Sequence, residues 1–209
     1  MPILSPNSPM FTGIIETLGI VEKLTETGGN RSFYIRSAIT PELKVDQSLA
    51  HNGICLTVEE IEGDIYRVTA VAETLAKTNA GHWEAKQLVN LERAMLMNGR
   101  LDGHLVQGHV DAVGTCISVE DQNGSWLYQF SFPPSFASLV IEKGSITVNG
   151  ISLTAFNVTR DSFCVAIIPY TYEHTNLKDV KKDSTVNLEF DMVGKYIQRQ
   201  IVLNQQSSL

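Results

Sequence analysis

Two hexapeptides carry the side chains best suited to chemistry: NGICLT at residues 52–57 and NGISLT at residues 149–154. Asn-Gly is by itself a hairpin turn, but here it feeds a strand with a small polar side chain two residues on. Alternate strand residues share a face, so Cys55 and Thr57 point one way and Leu56 the other, as do Ser152 and Thr154 against Leu153. If the leucines enter a core, the thiol and hydroxyls face a ligand or solvent. There they can serve as hydrogen-bond donors, proton relays or nucleophiles.

His104 and His109 lie in GHLVQGH. On a strand their odd spacing sends them to opposite faces, which is poor geometry for a shared metal. A histidine can shuttle a proton near neutral pH, although a lone one more often has a structural role. Asp191, just past VNLEF, reads either as a functional carboxylate or as the cap of a following helix. ETLAKTN (73–79) and YTYEHTN (170–176) repeat Thr, Thr and Asn at matched spacing, residues that at strand ends often only satisfy turn backbone. No P-loop, G-x-G-x-x-G, H-E-x-x-H or nucleophile elbow is present, which counts against nucleotide, zinc-protease and hydrolase chemistry.

These pairs belong to a duplication. Residues 48–92 align without a gap to 145–189, and 15 of the 45 positions are identical, where average residue frequencies give about three. FTGIIETLGIVEKL continues the alignment onto VQGHVDAVGTCISV at a shift of 95, setting Gly13 against Gly108 and Glu16 against Asp111. A period near 97 is too long for a solenoid, so each copy is expected to be a small domain. NGRLDG at 98–103 collects turn residues and marks the boundary.

Strand-length apolar runs occupy 13–24, 32–36, 54–61, 65–72 and 88–91 and recur in the second copy, separated by TGGN, EGD, DQNGS and TRD. The expected fold is mainly β: two homologous six-stranded Greek-key β-barrels in tandem plus a C-terminal α-helix, since closure removes exposed edges. Helix signals are PPSFASLVIEKG, short turns after Thr74 and Thr171, and a terminal segment in which Val193, Tyr196, Ile197 and Ile201 fall at helical spacing. That stripe reads equally as a cap on its own barrel or as a contact between subunits. The expected organisation is a flexible extension over 1–9, barrels over 10–99 and 100–190, and a helix and tail over 191–209.

Composition bounds the partners. A net charge of −7, from 16 Lys+Arg and 23 Asp+Glu, argues against nucleic acid. Apolar runs such as 165–168 are far shorter than the roughly 20 residues that span a bilayer, so no membrane helix is expected. The proline-rich start does not resemble a secretion signal and the three cysteines are widely spaced, so a cytoplasmic protein with reduced thiols and no metal is expected.

MFTGIIE, AHNGICLT, NLERA, GRLDGHLVQGHVD, NGISLT, IPYTYEHTNL and VNLEFD, in that order over residues 10–192, resemble the riboflavin synthase family. The resemblance implies a homotrimer held by its terminal helices, with lumazine-binding barrels and an active site between the N-terminal barrel of one subunit and the C-terminal barrel of the next. It implies dismutation of two molecules of 6,7-dimethyl-8-ribityllumazine with no cofactor or metal. In some organisms a lumazine synthase shell encloses such enzymes, and the sequence is silent on that partner. Implied ligand contacts in the first half are Gly13, Ile14, Ile15, Ser48, Cys55, Leu56, Thr57, Ala72, Glu73 and Thr74. In the second they are Gly108, His109, Val110, Lys143, Ser152, Leu153, Thr154, Ile168 and Thr171. The roles expected are His109 as proton shuttle, Ser152 and Thr154 as hydroxyls that activate or position a nucleophile, Cys55 and Asp191 in support, and Phe11 over the ring.

The rival within this fold is a non-catalytic, antenna-type lumazine- or flavin-binding protein with one degraded site. The presence of both hexapeptides, both T-x-x-x-T-N segments and His109 favours the enzyme. A flavin module of a reductase requires a nicotinamide-binding domain for which the sequence has no motif.

Overall fold

The computed structural model describes residues 9–206. The expected loose extension, Pro9 apart, and the last three residues of the expected tail lie outside the described residues.

The first barrel contains β1 (Thr17–Thr27), β2 (Asn30–Ser37), β3 (Ser48–His51), β4 (Ile54–Glu62), β5 (Ile65–Ala70) and β6 (Leu88–Arg93). The order β1-β2-β5-β4-β3-β6 closes on itself with antiparallel pairing throughout. The second copy repeats the order with β7 (Ala112–Asp121), β8 (Trp126–Ser131), β9 (Ser145–Val148), β10 (Ile151–Thr154), β11 (Ser162–Ile167) and β12 (Thr185–Phe190). Its closure is looser: β10 stops at Thr154, Asn157 takes φ 49°, and an isolated Phe156–Cys164 bridge brings the edges together. Bulges at Val21/Lys23, Val58/Glu60 and Cys116/Ser118 supply the bending that closure needs.

Each barrel encloses its own core. Phe33, Tyr66, Trp83 and Leu91 fill the first, and Tyr128, Phe130, Phe163 and Phe190 the second. Burying a side chain of this size contributes about 1.5–3 kcal/mol. Leu56 joins the first core and Leu153 packs against the second, as the strand alternation predicts.

The copies meet around two hairpin turns. Asn52 and Asn149 both take φ 48°, and Gly53 and Gly150 follow at 77° and 78°. The turns press back to back, so a Cβ on Gly150 would lie 2.6 Å from the Gly53 nitrogen; only glycine fits.

Several local expectations are corrected. β1 begins at Thr17 rather than 13, because Gly13 sits at φ 77°, outside the extended region. PPSFASLVIEKG yields a 3₁₀ helix, Pro134–Leu139. The turns placed after Thr74 and Thr171 are short helices containing them, α1 (Ala72–Lys77) and α2 (Pro169–His174). His104 and His109 lie on no strand; their segment is irregular, with a single bridge from Val106 to Phe11. The terminal helix α3 (Met192–Gln206) forms as expected, with Val193, Tyr196, Ile197 and Ile201 exposed. None of the described helices is long and apolar enough to cross a membrane.

Candidate active site

Each barrel is entered by a segment that leans on the other barrel. The Gly13 carbonyl accepts from the Ser152 N–H at 2.8 Å, and the Gly108 carbonyl from the Cys55 N–H at 2.9 Å. The approach is close: a Cβ on either glycine would lie 2.6 Å from the Cβ of Ser152 or Cys55. Two buried carboxylates fix these segments. Glu92 accepts from the Thr12 N–H (2.7 Å), the Thr12 hydroxyl (2.8 Å) and the Gly13 N–H (3.0 Å). Glu189 accepts from the Gln107 N–H at 2.8 Å and the His109 N–H at 2.9 Å. Burial raises the pKa of both carboxyls, that of Glu189 to about 7, against the lowering by these hydrogen bonds.

The consequence is an exchange. Ile14, Gly103, Lys143, Ser145, Ser152, Leu153, Thr154, Phe156, Ile168 and Thr171 line one cleft of about 560 Å³ on the second barrel. Ile15 likewise packs on the second core and Val110 on the first. Residues 13–15, grouped with the first half in the sequence, therefore serve the second barrel, and residues 108–110 serve the first. The physical reason is the crossed backbone bonding through Gly13 and Gly108.

The second-barrel cleft combines apolar side chains (Ile14, Leu153, Phe156, Ile168) with hydroxyls (Ser145, Ser152, Thr154, Thr171) and the Lys143 ammonium, which lies 4.9 Å from the Phe156 ring centroid. Such a lining suits a planar heterocycle carrying a polyhydroxylated chain. On the first barrel, Ser48 pairs with Thr57 in register and Cys55 lies beside Leu56. Burial raises the pKa of the Cys55 thiol and the Ser48 side chain offsets part of the shift. Ala72, Glu73 and Thr74 sit on α1, where Glu73 pairs with Lys77 at 2.8 Å. His109 is exposed beside Gly108, next to Cys55 rather than Ser152.

Two expected site residues have other surroundings. Phe11 is fully buried with Ala50 and Val106 against Cys55, so it backs the wall instead of lying open over a ligand. Asp191 caps α3, its Oδ1 accepting from the Val193 N–H at 2.9 Å, and also borders a groove with Lys143. Sequence reasoning missed Ser145, Phe156, Glu92 and Glu189, and it weighed His104 but left it with a structural role. Ser145 is the counterpart of Ser48, and the glutamates end a repeated VNLE, so the period could have found all three. His104 has no counterpart in the first copy, where Pro9 holds the matching position.

The lumazine binding domain matches this chain twice, over residues 12–94 and 107–191. Riboflavin synthase of Actinobacillus pleuropneumoniae is 40% identical over 191 residues, covering 91% of this chain and 89% of that protein. The chain belongs to the riboflavin synthase family. Riboflavin synthase of Bacillus subtilis (strain 168) is 39% identical over the same shares, and that of Mycobacterium tuberculosis (strain ATCC 25618 / H37Rv) 40% over 195 residues, covering 91% of this chain and 97% of that protein. Among solved structures, LumP complexed with riboflavin superposes with a TM-score of 0.81 at 22% identity, covering 86% of this chain and 98% of that one. LumP complexed with 6,7-dimethyl-8-(1'-D-ribityl) lumazine gives 0.79 at 21%, again over 86% and 98%. These two likenesses concern the fold alone.

Proposed function

We propose that the protein is a riboflavin synthase, a transferase that dismutates two molecules of 6,7-dimethyl-8-ribityllumazine into riboflavin and 5-amino-6-ribitylaminouracil by moving a four-carbon unit. The observation that carries this reading is the matched pair of polar strands, Cys55/Thr57 and Ser152/Thr154, each set beside a segment from the other barrel. Two copies of one substrate require two similar pockets, and the duplication supplies them.

Together the two products contain all the atoms of two substrate molecules, so the reaction calls for no oxidant. A proton leaves the C7 methyl of one lumazine, and the resulting carbanion attacks the ring of the other. His109, exposed, serves as the proton shuttle; Ser152 and Thr154 position or activate the nucleophile; Cys55 and Asp191 support. Holding both rings face to face supplies an effective molarity on the order of 10⁵ M or more. The facing half-sites come from neighbouring subunits of a homotrimer in the cytoplasm. The exposed apolar face of α3 supports that assembly, and the three free cysteines are compatible with a reducing compartment.

The test is incubation of the purified protein with 6,7-dimethyl-8-ribityllumazine as sole reactant. Riboflavin fluorescence above the spontaneous background is expected, with one riboflavin per two lumazines consumed. Binding without turnover would overturn the enzyme in favour of a chromophore carrier.

A further inference from the structure

The Nδ1 of His104 lies 2.7 Å from the Oγ of Ser152. His104 is 8% exposed, whereas Ser152 lines the second-barrel cleft. The histidine is held from behind: its N–H donates to the Thr12 carbonyl at 3.1 Å, and Thr12 is itself gripped by Glu92. The neighbouring Gly103 leaves no room for adjustment, since a Cβ there would lie 2.0 Å from the Thr12 oxygen and 3.0 Å from Ser152 Oγ. A buried imidazole with a fixed backbone, bonded to a hydroxyl on a cleft wall, is an arrangement that the cores do not require. Nor does the duplication repeat it: the counterpart of Ser152 is Cys55, and the position matching His104 is Pro9, which has no donor or acceptor side chain.

Resting on the riboflavin synthase reading, we infer that His104 is a positioning residue that acts through Ser152, accepting the hydroxyl proton at Nδ1 and aiming an Oγ lone pair into the second-barrel cleft. The two half-sites are therefore chemically different, and the hydroxyl oriented by an imidazole belongs to the C-terminal barrel alone. The charged group whose field acts on His104 is Asp191 at the head of α3, while Asp102 and Lys143 line the cleft beside Ser152. Burial keeps the imidazole below its ordinary pKa of 6.5, and the Asp191 field opposes that shift only in part, so the neutral, accepting form prevails at pH 7.

The experiment is a double-substitution cycle with a pH profile. His104→Ala is expected to lower kcat by about 10²-fold, the scale of a misplaced reacting group, with KM changed little. Adding it to Ser152→Ala should cost nothing further, because its route of action is already gone. His104→Asn, whose side-chain oxygen can take the Nδ1 place, should recover part of kcat and lose the acid limb below pH 6.5. Multiplying losses in the double variant, or an unchanged acid limb in His104→Asn, would overturn the inference. A readout independent of turnover is the ¹⁵N resonance of His104: Ser152→Ala is expected to shift its Nδ1 signal and titration, and no change would overturn the link even if the native protein proved inactive.

Discussion

The side-chain amide of Asn90 donates to the Asn176 side-chain oxygen in the other barrel at 2.9 Å, and Asn187 donates to that of Asn79 at the same distance. The two bonds are related by the internal repeat. Around them Asn90 and Asn187 also donate to the Asn149 and Asn52 carbonyls, at 3.0 and 2.9 Å. Six buried asparagines thus join the barrels through bonds that mirror one another.

Asn90→Ala is expected to destabilise the protein by about 1–3 kcal/mol, because the buried partners on Asn176 and Asn149 lose their donor. Urea denaturation measures this; a change within a few tenths of a kcal/mol would show that water replaces the amide without cost.

Gly150→Ala should be worse tolerated than a surface glycine such as Gly28. Both have positive φ, but only at Gly150 does an added methyl meet the backbone of the opposing turn. The prediction is a lower melting temperature for Gly150→Ala than for Gly28→Ala, and equal melting temperatures would contradict back-to-back packing.

Stability should depend on pH through two groups of opposite sign. Glu189 is pushed up to about 7 by burial, so between pH 4.5 and 7 the native state holds a proton that the unfolded chain has lost; its contribution falls as pH rises through that window. His51 is pushed down to about 4 by complete burial, so between pH 6.5 and 4 the unfolded chain takes the proton and stability falls with pH. Glu189→Gln removes the Glu189 share of the first trend, while the buried Glu92 carboxyl, also raised, keeps its own. The melting temperature of the native protein relative to that variant should therefore increase as pH drops from 7 to 4.5, and a constant difference would remove Glu189 as the source.

The barrels and the polar faces of the hexapeptides were legible because strand alternation is written in neighbouring residues and the duplication in residue identities that recur at a fixed shift of 97. The exchange of Ile14 and His109 between barrels was not, since it arises from backbone contacts 139 positions apart, Gly13 to Ser152, and 53 apart, Gly108 to Cys55. His104 was read as a lone histidine with a structural role because its partner, Ser152, lies 48 residues away. The asparagines recur in both copies, yet each also suits a turn, and their mutual bonding appears only once the copies are packed.

Ile14→Arg is expected to block the second-barrel cleft although residue 14 is in the N-terminal half of the chain. Ligand binding at the first barrel should persist. Loss of binding at the first barrel, with the second intact, would reverse the assigned exchange.

Whether both barrels hold a substrate-like heterocycle is measured by calorimetric titration with a ribityllumazine lacking the C7 methyl group. Such an analogue cannot form the carbanion and so cannot be consumed. Two ligands per chain are expected at saturation, falling to one in Ile14→Arg. One ligand per chain in the native protein would contradict this and leave a single-site chromophore carrier.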